Sequence, residues 1–163
     1  MKITGVRLSE VYLTKLDHPE FKIKYVQENE STSNFGVFRG MHLQKGDSSQ
    51  SKLIRVVKGK VIDVICDLRK SSPSFKKIFF IELVPNKLLF LPKGLAHGFL
   101  SLEDGTILNY KCDNFYNQNS ESGFNLFNSE VEMDFPLLSD DIYMSIKDKS
   151  LPDLDNSYIY ENL

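Results

Sequence analysis

The chain has 163 residues, 41% hydrophobic and 26% charged, a size and balance suited to one globular domain, 1–163, with a substantial core. Its net charge of −2 and scattered lysines argue against any general attraction to nucleic acid or a membrane surface, while a local basic cleft for a small anion stays open. Nothing approaches the roughly 20 apolar residues of a membrane helix, and the N-terminal MKITGVRLSEVYL lacks the apolar run of a signal peptide. Two cysteines, Cys66 and Cys112, sit inside apolar strand-like runs and are expected as packed free thiols in a reducing, cytoplasmic setting.

In chain order, residues 3–13 could form a first strand, Leu16–Pro19 a turn, and Phe21–Tyr25, alternating apolar with charged, a half-buried strand. Residues 27–33, QENESTS, read on composition as a solvated loop. Residues 34–57, NFGVFRGMHLQKGDSSQSKLIRVV, read as two strands joined by a polar turn at Lys45-Gly46-Asp47. They set Arg39, His42 and Lys52 among apolar neighbours, where such groups must pair, face water or line a cavity. Lys58-Gly59-Lys60 reads as a hairpin turn. Val61–Leu68 is an almost continuous apolar run, typical of a strand covered on both faces. Strands follow over Ile78–Leu83, Leu88–Leu91, Ala96–Leu102 and Thr106–Cys112, separated by Ser71–Ser74, Pro85-Asn86, Pro92–Gly94 and a hairpin signal at Glu103-Asp104-Gly105. Closely spaced strands with no helical period between Val37 and Cys112 predict an all-β sandwich, jelly roll or barrel. Asp140–Lys149 could hold a short helix or 3₁₀ turns.

Two stretches could carry chemistry. Pro92-Lys93-Gly94-Leu95-Ala96-His97 resembles the second motif of the cupins, small double-stranded β-barrels, many of which bind a metal through it. The companion motif supplies a His-x-His pair and a glutamate. Here it offers only His42, followed by Leu43 and Gln44, and His18 stands far upstream. A metal needs three or four converging ligands, so no metal site is expected. Acid–base chemistry fits better. Histidine as a residue type exchanges protons near neutral pH, so His42 can act as a base when a carboxylate orients it. Lys52 or Arg39 could steady an oxyanion, and a tyrosine hydroxyl such as that of Tyr110 could return a proton. Spacing alone does not select the carboxylate.

A series of motifs then stands in one order: Gln27-x-Asn29-x-Ser31-x-Ser33, Gly36-Val37-x-Arg39-Gly40-x-His42-x-Gln44, Gln50-x-Lys52-Leu53-x-Arg55-Val56, Gly59-x-Val61-x-Asp63-Val64, Asp67-Leu68-Arg69-x-x-Ser72-Pro73-x-Phe75 and Gly94-x-Ala96-His97-Gly98-Phe99. Tyr110-Lys111-Cys112, Tyr116, Glu121 and Asp134-Phe135-Pro136 complete it. Over roughly Gln27–Pro152 the chain resembles the dTDP-4-dehydrorhamnose 3,5-epimerases, RmlC-type cupin enzymes of deoxysugar and cell-surface polysaccharide biosynthesis. The resemblance implies a jelly-roll barrel with a short C-terminal helical tail, working as a homodimer without metal or cofactor. It implies a nucleotide-linked 4-keto-6-deoxyhexose as substrate, with inversion at C3, C5 or both through an enolate.

By the same resemblance His42 matches the general base, Asp148 in Ser145-Ile146-Lys147-Asp148 its carboxylate, Lys52 the cation near the enolate oxygen and Tyr110 the acid on the opposite face. Arg39 and His97 match other pocket residues, and Gln27, Asn29, Gln44, Tyr116 and Glu121 match positions near the sugar or nucleotide. Asp63, Asp67 and Arg69 read as structural pairs. Strict alternation would put Arg39 and His42 on opposite strand faces, which a bulge at Gly40 would correct. Full members carry an Asp-x-Arg-Gly-x-Phe-x-Glu stretch before the glutamine–asparagine run. Here no arginine stands between Arg7 and Arg39, so the nucleotide base stays open. The alternatives are a 3-epimerase or ketoisomerase on another nucleotide sugar and a non-catalytic sugar-binding cupin.

Overall fold

The computed structural model describes residues 7–10, 23–129 and 141–163. Its strands are β1 (Arg7–Glu10), β2 (Gln27–Ser33), β3 (Phe38–Gln44), β4 (Lys52–Lys58), β5 (Val61–Asp67), β6 (Ile78–Leu83), β7 (Lys87–Leu91), β8 (Leu95–Ser101), β9 (Thr106–Cys112) and β10 (Glu121–Gly123), with short 3₁₀ turns and, among the described residues, one α-helical turn, α1 (Ile146–Lys149). They form two antiparallel five-stranded sheets, ordered β1-β7-β4-β9-β2 and β10-β3-β8-β5-β6. This is the jelly roll that the family resemblance implied, one of the three all-β architectures that the strand spacing left open. No helix among the described residues is long and apolar enough to cross a membrane.

The turns fall where glycine, proline and aspartate place them, but the two hairpin signals are corrected. After Lys58-Gly59-Lys60 the chain passes from β4 in the first sheet to β5 in the second, and across Glu103-Asp104-Gly105 it passes from β8 to β9. Turn chemistry fixes the reversal. Which sheet receives the next strand depends on which apolar faces must meet, and that is not local.

Alternation along β5 explains its apolar run. Val61 and Ile65 face the first sheet and pack with Ile54, Val56, Leu89, Leu91 and Leu108. Val64 and Cys66 face the other way, into a second cluster with Phe38, Met41, Leu100, Leu126, Leu154 and Tyr160. The second sheet is therefore covered on both sides, by the first sheet and by the segments after β10. Both cysteines are free and buried.

Two other expectations change. The polar run 27–33 is strand β2, paired along its length with β9 from Gln27↔Cys112 to Ser33↔Thr106. Its polarity reflects an alternating strand with cavity on one side and solvent on the other. In the expected strand Phe21–Tyr25, the described residues 23–25 form none. Contact with β9 starts at Val26, whose N–H donates to the Cys112 carbonyl at 2.9 Å, while Ile23 and Tyr25 pack against Leu53, Leu88 and Phe90. Of the first expected strand, Arg7–Glu10 is seen, paired with β7. The rest of 3–13, the turn Leu16–Pro19 and Asp134-Phe135-Pro136 lie outside the described residues.

Candidate active site

The inter-sheet core opens at one end into a cavity of about 550 Å³. Gln27, Asn29, Arg39, His42, Gln44 and Lys52 line it, as do His97, Tyr110, Tyr116, Glu121 and Asp148. Every site residue singled out in the sequence therefore reaches one cavity.

Strand β3 brings Arg39 and His42 to the same side by a bulge. Its register against β8 shifts between Arg39↔Phe99 and His42↔His97. Gly40 carries φ +125°, and a Cβ there would stand 2.6 Å from Gly98 Cα and 2.8 Å from the His97 carbonyl oxygen. Only glycine fits so close a backbone approach. Before the bulge Phe38 faces the outer core. After it Met41 and Leu43 do, which turns His42 and Gln44 inward.

His42 is matched to a carboxylate from far along the chain. Residues 141–145 run beside the start of β3, where Phe38 N–H donates to the Tyr143 carbonyl and Tyr143 N–H to that of Gly36, each at 2.9 Å. Helix α1 follows, its Asp148 N–H donating to the capping Ser145 Oγ at 3.0 Å. Asp148 Oδ1 lies 2.6 Å from His42 Nε2, with side-chain exposures of 6% and 32%. Burial works to raise the Asp148 pKa, but hydrogen bonding and charge from His42 and the Gly40 amide hold it below the usual carboxylate value. An ionised carboxylate can only accept, so Nε2 carries the ring proton and Nδ1 keeps the free lone pair of a base.

The opposite wall comes from the first sheet. Tyr110 sits on β9 between Asn29 of β2 and Ile54 of β4. Burial pushes its hydroxyl pKa up, so it remains a proton donor at neutral pH. Lys52 begins β4, in register with Leu91 and Cys112. Burial pushes its ammonium pKa down, against the carboxylates of Asp63 and Glu121, and the ammonium makes no hydrogen bond or ion pair among the described residues. A cation poised in this way is available to a developing oxyanion.

At the floor, His97 Nε2 lies 2.8 Å from Asp63 Oδ2, and both side chains are nearly inaccessible. Burial pushes the Asp63 pKa up, opposed by His97. At the mouth, Tyr116 hydroxyl and Lys147 ammonium both donate to Glu121 Oε2, at 2.7 and 2.6 Å. Burial works to raise the Glu121 pKa, yet these two donors hold it below the usual value. Gln27 Oε1 accepts from the Tyr116 amide at 2.7 Å, its Nε2 donates to Asn29 at 2.9 Å, and Gln44 Oε1 accepts from the Asn117 amide at 2.9 Å. Arg39 Nε donates to Ser33 Oγ at 3.0 Å and Nη2 to the Thr32 carbonyl at 3.2 Å. Among the described residues no three histidine, cysteine or acidic side chains converge as a metal ion would require.

The family model described as dTDP-4-dehydrorhamnose 3,5-epimerase matches residues 8–156. The chain belongs to the dTDP-4-dehydrorhamnose 3,5-epimerase family. It is 38% identical over 142 residues to the dTDP-4-dehydrorhamnose 3,5-epimerase of Methanothermobacter thermautotrophicus, covering 85% of this chain and 76% of that one. The crystal structure of the Elizabethkingia anophelis epimerase is similar at a TM-score of 0.87 and 33% identity, covering 97% of this chain and 96% of that one. The Legionella pneumophila dTDP-6-deoxy-D-glucose-3,5-epimerase, solved with dTDP-4-keto-L-rhamnose, is similar at a TM-score of 0.79 and 31% identity, over 87% and 77% of the two chains. The chain is accordingly an isomerase of the dTDP-rhamnose pathway type.

Within this epimerase fold, sequence reading passed over Lys147 and the partner of Asp63. Asp63 is the structural carboxylate that was expected, and it pairs with His97. The two face one side because Asp63 stands against Phe99 and Ile65 against His97, a relation visible only once β5 and β8 are paired. Lys147 adjoins Asp148 in the quoted motif, and only α1 brings it to Glu121. Asp67 and Arg69 do pair, at 2.7 Å.

Proposed function

We propose that this chain inverts C3 and C5 of a dTDP-linked 4-keto-6-deoxyhexose by proton transfer on opposite faces of the sugar. The observation that carries the reading is the His42–Asp148 pair on one sheet with Tyr110 on the other, across one cavity. Each proton to be removed lies next to the C4 carbonyl, so its loss gives an enolate. His42 Nδ1 takes the proton, and Asp148 steadies the imidazolium that forms. Lys52 holds the charge that develops on the C4 oxygen. Tyr110 protonates the enolate carbon from the other face, and inversion results. His97 is held in place by Asp63 and packs beneath the sugar. Arg39, Gln27, Asn29 and Gln44 hold the sugar and diphosphate, and Tyr116 and Glu121 close the mouth. The chain works as a homodimer in the cytoplasm, a setting in keeping with its free thiols.

The test is incubation with dTDP-4-keto-6-deoxyglucose in D₂O, followed by NMR. Deuterium is expected at C3 and C5 with the L-configured product. Exchange at C3 alone would restrict the enzyme to one centre, and no exchange at either would overturn the reading.

A further inference from the structure

We propose that Tyr160, outside the cavity near the C-terminus, is a positioning residue that holds the cavity-mouth loop through Gln44 and so sets affinity for the nucleotide sugar. The inference rests on the reading of the cavity as the epimerase site. Residues 158–163 form a tail clipped along the connection after β5. Tyr160 N–H donates to the Leu68 carbonyl at 2.9 Å, Lys70 N–H to that of Tyr160 at 3.0 Å, and Lys70 pairs with Glu161 at 2.7 Å.

From this clip the Tyr160 ring turns into the outer core, 4% exposed, with Tyr158 edge-on at 5.0 Å between centroids. A phenylalanine would fill that space equally well. The hydroxyl is what distinguishes the residue, and burying it is unfavourable unless it is bonded. It donates to the backbone carbonyl of Gln44. Strand β3 pairs with β8 no further than His42↔His97, so at Gln44 the tail supplies a donor where β8 does not. Burial pushes the Tyr160 hydroxyl pKa up, which keeps it a donor at neutral pH.

Gln44 is thereby gripped at its backbone by the tail, while its side chain grips the mouth. Its Oε1 accepts from the Asn117 amide. The residue before, Tyr116, bonds Glu121 through its hydroxyl and Gln27 through its amide. On its other edge the strand is paired with β10, Gln44 standing against Glu121 and Lys45 N–H donating to the Ser120 carbonyl at 2.7 Å. The Tyr160 hydroxyl takes the Gln44 carbonyl on the edge that β8 leaves, which helps to fix where the side chain stands, and the side chain fixes the loop. None of the hydrogen bonds in this relay is made by the side chains of His42, Lys52 or Tyr110, so its loss should change binding more than the chemical step.

The experiment compares wild type, Tyr160→Phe and Tyr158→Phe as full chains. It measures dTDP affinity by calorimetry, steady-state KM and kcat, and amide hydrogen exchange. Tyr160→Phe is expected to weaken dTDP binding and raise KM by about three- to tenfold, the size of one buried hydrogen bond. Its kcat should stay within about twofold, a binding effect without loss at the transition state. Exchange at residues 116–120 should quicken while that of β5 and β8 is unchanged. Tyr158→Phe, which keeps the Gln44 bond, should match wild type.

Unchanged dTDP affinity, a fall in kcat at constant KM, uniformly faster exchange, or a Tyr160→Phe chain that does not fold would each overturn the proposal. The last two outcomes would make the hydroxyl a support of the whole fold. Failure of wild type to bind dTDP would instead strike the reading of the cavity itself.

Discussion

A histidine becomes a useful base at neutral pH when one ring nitrogen is committed and the other is free. His42 meets that condition because Asp148 is nearly inaccessible, 2.6 Å away and held ionised. Asp148→Asn keeps the shape but can hand the ring a donor in place of an acceptor, so the wrong tautomer becomes available. The expected result is a loss of about 10²–10⁴ in kcat with dTDP affinity kept, read by steady-state kinetics and calorimetry. At this scale the sequence was most informative where a motif named a residue and least where a partner arrives through pairing. That His42, Lys52, Tyr110 and Asp148 share one cavity was legible from the family pattern. The Asp63–His97 contact was not, because it depends on which strand lies beside β5.

Strand β3 shows how one element re-aims a site. A regular strand would point Arg39 and His42 to opposite sides, and the shift at Gly40 brings both to the cavity. Gly40→Ala would place a methyl group against Gly98 and the His97 carbonyl at positive φ. It is expected to cost about 1–3 kcal/mol in stability and at least tenfold in kcat, since about 1 Å of misplacement can cost 10²-fold. Urea unfolding and kinetics would check both, and a Gly40→Ala protein of wild-type stability and rate would deny the bulge its role. The need for a bulge was legible from spacing. The strand character of residues 27–33 was hidden, because alternation is recognised by apolar residues and here the inward face lines a polar cavity. The two turns read as hairpins misled for a related reason: local chemistry reverses a chain without saying which sheet it joins.

On the scale of the whole molecule, two sheets meeting over an apolar core leave one open end, and each contributes a wall to it. The second sheet brings His42 and His97, the first Lys52 and Tyr110. Proton removal and return on opposite faces need such an arrangement, and they need no Lewis acid when an ammonium steadies the enolate. Activity is therefore expected to survive exhaustive chelation with EDTA; loss on chelation that one added divalent ion restores would refute a reaction run by side chains alone.

The most direct test of opposed acid and base is NMR of the Tyr110→Phe products formed in D₂O. With the base wall and Lys52 intact, the enolate still forms, and protonated His42 can trade its proton with solvent and return it to the face it came from. Deuterium should then enter C3 or C5 with configuration retained while the yield of epimer collapses. Inversion at near the wild-type rate in Tyr110→Phe, or exchange and inversion falling together, would contradict the division of roles between the two sheets.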